Sequence, residues 1–386
     1  MPFALLAALV LAAPHVPADA AVVLEQLPLA PSSAAAREVA ALSAELKRAP
    51  GDLPTALKLA RRWLEEGRIQ SDPRMTSWAM AALAPWWSLP SPPPEVLVLR
   101  AVIHQRVHDF DAALTDLTAA LALRPKDAQA WLTLASLRQV RGDYAGARAA
   151  CGRVSNLADD LVAVTCLAGV ASLTGSARPS AALLRRLVDA NPNAPPAELG
   201  WAAVTLAEAD ARAGEPRAEP DFRAALARDA RDPYTLAAYA DWLSVAGRDA
   251  DAARLLEGSE RADNLLLRLA IAESHLGAPK LGEHVAMLKA RFDASRRRGE
   301  SVHRREEAMF ALHLEHDAPR ALALARANWD VQKEPADAKI LLEAALAAHD
   351  AAAARPPLDF IAANHLEGAD LAALATQLEE ARHASR

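Results

Sequence analysis

The sequence predicts an all-α protein built as an array of stacked helix pairs. Three observations carry that expectation. One short pattern is written three times, about 33 residues apart: HDFDAALTDLTAALALRP ending at Pro125, RGDYAGARAACGRVSNLADD ending at Asp160, and GSARPSAALLRRLVDANP ending at Pro192. A self-similar period of that length, with helical spacing inside each copy, marks a helical-repeat array. Hydrophobic residues make up 52% and alanine dominates them, while aromatics are only 4%. Alanine is the best helix former, and small side chains let helices approach closely. Few stretches show the β-branched alternation that a strand needs.

The chain opens with an apolar run from Phe3 to Ala13, then Pro14 and the small-x-small triplet Ala18-Asp19-Ala20. This resembles a secretory signal peptide over residues 1–20, although its first segment has no Lys or Arg. A periplasmic location is the resulting expectation. The run is well short of the roughly 20 residues that span a bilayer, and no other run is longer, so no integral membrane span is expected. Residues 21–32 (AVVLEQLPLAPS) read as an extended leader.

Residues 33–89 read as an N-terminal helical region. Ser33 can cap a helix that reaches about Lys47 and is broken at Pro50-Gly51. Asp52 and Pro54 open the next, with Leu57, Ala60, Trp63 and Leu64 on one face and Gly67 at its end. Asp72-Pro73 opens its partner, which runs to Ala84. WWSLPSPPP follows, and its prolines favour a stiff extended link, placed at residues 90–94. The main boundary is expected there.

Residues 95–291 read as the main array. Its helices, and one further on, open at Pro94-Glu95, Lys126-Asp127, Pro196-Ala197, Asp232-Pro233 and Glu334-Pro335, where a first-turn proline loses only an N–H without a helical partner. Turns inside the pairs carry Gly142, Gly175, Gly214, Gly247 and Gly277. The wider gap between Gly175 and Gly214 places an insertion near Asn191–Pro196. Residues 292–300 (FDASRRRGE) read as a basic linker, and 301–386 as C-terminal repeats ending in a capping helix from about Ala369 to Arg382.

These units resemble tetratricopeptide repeats. The best copy has Trp131, Leu134 and Ala135 in its first helix, Gly142, Asp143 and Tyr144 at its turn, and Ala147 and Val154 in its second. The copy before it matches with Leu97, Ala101, Phe110, Ala113, Ala120 and Pro125, and the copy after it with Ala168, Gly175, Ser180, Leu187 and Pro192. The segments SDPRMTSWAMAALAPWW and SRRRGESVHRREEAMFALHLEHDAPRALALARANW also resemble exported tetratricopeptide-repeat proteins of proteobacteria. The resemblance implies a right-handed superhelical solenoid of antiparallel helix pairs and a scaffold that holds a protein or peptide partner in its concave groove. In this family the first helix of each pair faces that groove. The groove positions then fall on Gln105, Arg106, Gln129, Gln139, Trp201, Glu208, Arg212, Tyr234, Asp241, His275, His303, Glu306 and His313. Asparagine is absent from these positions, so the carboxylate clamp of chaperone-binding relatives is not expected.

Other features are weighed against plainer readings. Cys151 and Cys166 are the only cysteines and fall on packed helices of neighbouring repeats, as a bridge or as two small buried thiols. His104 with His108, and His313 with His316, have spacings that can put two imidazoles on one helix face, which a small-ligand or metal carrier would use. No third ligand of comparable spacing accompanies either pair, and His108 and His316 occupy turn slots. Arg291, Arg296, Arg297, Arg298, Arg304 and Arg305 form a basic cluster with Glu300, Glu306 and Glu307 among them, which reads as self-paired. The tryptophans read as filler between helices, with Trp86-Trp87 the one candidate for a surface role. No nucleophile elbow, phosphate loop, CxxC pair or dinucleotide fingerprint occurs, so neither catalysis nor a cofactor is expected. The formal net charge of −6 argues against a generic nucleic-acid or anionic-membrane binder.

Overall fold

The computed structural model describes residues 34–299 and 302–384, with the backbone alone for 381–384. The expected signal peptide, the leader and the Ser33 cap lie outside the described residues. Helix α1 (Ala34–Arg48) packs on the first of nine antiparallel pairs. The pairs are α2 (Leu53–Gln70) with α3 (Arg74–Ala82), which is followed by the single turn α4 (Ala84–Trp87); α5 (Pro94–Arg106) with α6 (Phe110–Leu123); α7 (Ala128–Val140) with α8 (Tyr144–Val154); and α9 (Asp160–Leu173) with α10 (Ala177–Ala190). Then come α11 (Pro196–Arg212) with α12 (Ala218–Arg228), α13 (Pro233–Val245) with α14 (Asp249–Leu256), and α15 (Asp263–Leu276) with α16 (Leu281–Arg297). Last are α17 (Arg304–His313) with α18 (Ala318–Trp329), α19 (Pro335–Ala347) with α20 (Ala351–Asn364), and the single helix α21 (Ala369–Ala384). The fold is an all-α solenoid.

One device turns every pair. The residue between the two helices is left-handed: Ser71, His108, Gly142, Gly175, Gly214, Gly247, Gly277, His316 and His349 all have φ between 51° and 83°. That conformation ends a helix by letting the following N–H groups reach its last carbonyls. In four pairs the next residue is an aspartate that caps the second helix. Asp109 accepts from the Ala112 N–H at 3.3 Å, Asp143 from Gly146 at 2.8 Å, Asp317 from Arg320 at 3.1 Å and Asp350 from Ala353 at 3.0 Å. Alanine fills the crossings between helices: Ala101, Ala113, Ala130, Ala147, Ala321, Ala338 and Ala344 are fully buried.

Two of the expected divisions are absent. The proline run does not separate units, because one core joins Val39, Leu57, Leu64 and Leu83 before it to Val96, Leu99 and Ile103 after it. Trp86 and Trp87 pack against that core, and Arg100 donates to the Trp87 carbonyl. Residues 292–297 are helix rather than linker. Phe292 is buried and meets Phe310 of the next pair with ring centres 5.4 Å apart, so apolar packing carries α16 on to Arg297. The insertion expected near Asn191 is not in the 191–195 loop, which is as long as the 155–159 loop before it; the extra residues lengthen α10 to 14 and α11 to 17 residues, and the loop borders a surface depression of about 500 Å³.

The solenoid also returns on itself. Loop and helix-end groups of the C-terminal pairs meet the turns of pairs about 190 residues earlier. The Lys333 N–H donates to the Val140 carbonyl at 2.8 Å, and the Tyr144 hydroxyl donates to the Lys333 carbonyl at 3.1 Å. The Glu367 N–H donates to the Leu173 carbonyl at 3.1 Å, and the Glu367 carboxylate accepts from the Ala177 N–H at 2.9 Å. Gln332 lies 3.2 Å from His108 Nδ1, and Phe360 sits between Tyr144 and Trp329 with ring centres 6.0 and 5.3 Å away. A buried cluster runs unbroken from α5–α9 through this seam into α17–α21. Farther along, Arg68 at the end of α2 pairs with Asp232 at the start of α13. One turn of the superhelix therefore lies edge to edge against the next.

The Sγ atoms of Cys151 and Cys166 are joined, linking α8 to α9 across a sequence separation of 15 residues. In the chain-entropy model a loop of that length is worth about 3 kcal/mol at most. Melting with and without a thiol reductant should show a loss no larger than that, and two freely alkylated thiols in native protein would remove the bridge. A second expectation concerns the turns. A Cβ at Gly214 would meet nothing within 4 Å, so Gly214→Ala should cost only the left-handed penalty, about 1–2 kcal/mol. A Cβ at Gly142 would lie 2.7 Å from Phe360 Cζ and 3.0 Å from Lys333 Cβ, so Gly142→Ala should cost clearly more. Equal losses in urea denaturation would mean that the seam does not form.

Candidate functional site

Along four successive first helices, one stripe of side chains recurs at a spacing of seven residues: Trp201 and Glu208, Tyr234 and Asp241, Arg268 and His275, Glu306 and His313. Seven residues are two helical turns, so each pair shares a face. The stripe is held by contacts between neighbouring pairs. The Tyr234 hydroxyl donates to Glu208 at 2.9 Å, Arg212 pairs with Glu208 at 3.4 Å, and Arg212 donates to the Ser172 hydroxyl at 3.0 Å. Arg268 makes a two-pronged pair with Asp241 at 2.7 and 2.8 Å, the fork geometry that favours arginine over lysine. His313 faces Glu343 of α19 at 3.4 Å. Arg305 reaches Glu306, Glu334 and buried Asp337 at 3.0–3.4 Å.

Charges from distant pairs meet across this inner face. Tyr234 has 59% of its surface exposed, yet its phenol is pushed well above the ordinary value. The Glu208 carboxylate is the main cause, followed by desolvation, and the field of Glu334 from six helices onward also reaches it. Burial opposes the charge of Glu306, but Arg305, then His303 and Arg268, outweigh it and hold that carboxyl below its usual range. Lys339 of α19 loses hydration to burial, yet Glu343, Asp370 and, from α13, Asp241 hold it protonated. The inner face is thus lined by fixed charges of both signs.

Contacts or fields tie Glu208, Arg212, Tyr234, Asp241, Glu306 and His313 to neighbouring pairs, Trp201 shares the helix face of Glu208 by its spacing, and His303 lies at the start of α17. Gln105 binds Ser136 of α7 at 3.1 Å, Gln129 binds Thr133 on its own helix at 3.3 Å, and Gln139 lies in the last turn of α7. Arg106 does not belong with them. Its guanidinium donates to the Leu64 carbonyl at 3.0 Å, because the last turn of α5 lies against α2. His275 is drawn to the rim, where Nδ1 lies 2.9 Å from Asp249 at the start of α14. Arg268, Arg305, Glu334, Lys339 and Glu343 were missed. Opposite charges one pair apart, such as Asp241 with Arg268 and Arg305 with Glu334, were the available signal.

The histidine pairs do not converge. His104 faces Asp109 and the Trp87 ring, while His108 is the left-handed turn residue stacked 5.3 Å from Phe110. His316 is again the turn residue, away from His313. Among the described residues no group of three or more His, Cys, Asp or Glu is placed to hold a metal ion. Three members of the arginine cluster pair internally: Arg291 with Asp263, Arg296 with Glu307 and Arg305 with Glu334.

Residues 106–164 match the tetratricopeptide repeat family model, which agrees with the repeats read in the sequence. No curated protein matches the chain at the level of sequence. Among solved structures, the chain is similar to PilW, a widely conserved type IV pilus biogenesis factor, at 21% identity over 52% of this chain and 94% of that one, with a TM-score of 0.41. It is also similar to a tetratricopeptide repeat protein from Parabacteroides merdae at 13% identity, over 80% and 99% of the two chains, with a TM-score of 0.39. A third similarity is to a chain of the APC/C hetero-tetramer Cut9-Hcn1, at 13% identity, over 83% and 82%, with a TM-score of 0.42.

The interior can be tested by titration. All three tyrosines are raised: Tyr144 by burial, Tyr234 by Glu208, and Tyr239 by burial and then by Glu219 against the opposing Arg223. A phenol raised in the folded state keeps its proton there after the unfolded chain, with a value of about 10, has released it. Stability should therefore fall as pH rises through about 10. Ultraviolet difference spectra should show phenolate only as helix is lost. A phenol that titrates near 10 while circular dichroism is unchanged would mean that Glu208 does not hold Tyr234.

Proposed function

We infer that this chain, which carries tetratricopeptide repeats, is a non-catalytic scaffold that holds an extended segment of a partner protein along its inner face. The supporting observation is the stripe from Trp201 to His313. It presents an exposed ring at Trp201 and another at Tyr234 among carboxylates and guanidiniums already fixed by neighbouring pairs. Side chains held in place lose little freedom on binding, and aromatic rings beside polar groups suit a polypeptide better than a lipid tail. Both signs of charge are present, which favours a partner of mixed charge over a uniformly acidic or basic one. No helix among the described residues is long and apolar enough to cross a membrane. The apolar run Phe3–Ala13 and the triplet ending at Ala20 support export, so the partner belongs to the periplasm in this reading.

Affinity capture from periplasm and inner membrane, with Ala21 as the N-terminus in mass spectra, is the direct test. With a captured partner, Trp201→Ala and Tyr234→Ala should each weaken binding by more than about 1 kcal/mol, as truncating interface aromatics does. Unchanged affinity in both, with helix content intact, would move the site to the outer face. An intact Met1 in the cytoplasm would end the export reading.

A further inference from the structure

The seam between the C-terminal pairs and the turns of α7–α10 has an unusual composition. On the α7–α10 side its backbone polar groups are helix ends. Val140 is the last residue of α7, and Leu173 is the last of α9. Their carbonyls have no partner within their own helices, and the N–H groups of Lys333 and Glu367 supply one. Ala177 is the first residue of α10, whose N-cap Ser176 makes no side-chain cap bond, and Glu367 caps it instead. Tyr144 is the first residue of α8, and its hydroxyl ends on the Lys333 carbonyl.

Helix ends of this kind are satisfied equally well by water, so each seam bond exchanges for a solvent bond at small net cost. The apolar part of the seam belongs to the buried cluster that joins α5–α9 to α17–α21. At its edge Phe360 lies against Tyr144 and over Gly142, where even a methyl group would come within 2.7 Å of the ring. Beside this closure lies the charged inner face, with Tyr234 open to solvent. Exchangeable helix-end bonds beside an aromatic wedge are the composition from which two-state elements are built.

We propose that the seam is an autoinhibitory latch: with Phe360 seated over Gly142, adjacent turns of the superhelix are shut edge to edge, and a folded partner reaches the inner face only after the C-terminal pair α19–α20 and α21 swing off the turns of α7–α10. This rests on the inner face being the binding surface. The closed form admits small molecules and chain ends along the superhelix axis. The open form admits a segment from the side, still attached to its folded domain. Latch opening then regulates the scaffold, and a partner that itself caps the ends of α7–α10 would hold it open.

Size-selective labelling tests the latch without a known partner. The protein carrying Tyr234→Cys is treated with a small maleimide and with a maleimide coupled to a small folded protein. The bulky reagent should react more slowly by about tenfold or more, the factor expected where the open state is a minor population. Adding Phe360→Ala should raise the bulky rate to near the small one while helix content is kept. Gly142→Ala should do the same, and Gly214→Ala, which introduces the same backbone strain away from the seam, should not. The latch is overturned if the bulky reagent already reacts as fast as the small one in the Tyr234→Cys protein. It is equally overturned if the size discrimination survives both Phe360→Ala and Gly142→Ala. A gate found by labelling, with binding insensitive to Trp201→Ala, would keep the latch and discard the inner face as the partner site.

Discussion

A left-handed residue between two helices, often followed by a capping aspartate, is the constraint from which the rest of the structure follows. It fixes the angle at which each second helix folds back on its first. Repeated from pair to pair, it brings the first helices into one register, so that positions seven apart on four of them, α11, α13, α15 and α17, form an inner stripe. It also brings the turns themselves into line along one edge. That edge exposes the last carbonyls of α7 and α9 and the first N–H of α10, and those groups are what the C-terminal pairs bind. The inner face and the seam are therefore two results of the same local geometry.

Much of this was legible in the residues. Glycine at 142, 175, 214, 247 and 277 announced the turns, because glycine enters the left-handed region without a Cβ penalty. The dipeptides His108-Asp109, His316-Asp317 and His349-Asp350 do the same work with a worse first residue, and spacing alone identified two of them. Histidine there looked like a metal ligand only while its backbone was unknown. Once φ is left-handed, the ring serves the turn and its neighbours, as the stack of His108 on Phe110 shows.

The failures have a common physical source. The proline run at 90–94 and the arginine run at 296–298 were read from local composition, and in both places packing overruled it. Trp86, Trp87 and Phe292 bury enough apolar surface to keep the array continuous through segments whose backbone preference is to break it. The inner face was found only in part for a different reason. A motif carried along one helix names what that helix presents, but Arg268, Arg305 and Lys339 matter because of partners on other helices. The seam was not legible at all. Its bonds join residues about 190 positions apart, and most of its groups are backbone atoms with no residue preference to read.

The disulfide acquires a second meaning from the seam. Cys151 and Cys166 join α8 to α9 near their middles, and each lies seven residues from a seam contact: Tyr144 at the start of α8 and Leu173 at the end of α9. Helices are stiff over two turns, so a bond at their middles holds their far ends in a fixed relation. The loop around Lys333 and the turn around Glu367 belong to adjacent parts of the C-terminal region and must find both stations at once. Fixing those stations covalently makes simultaneous docking easier, since the second contact forms at the effective concentration set by the first. Beyond its contribution of about 3 kcal/mol at most, the bridge would in this way favour the shut superhelix.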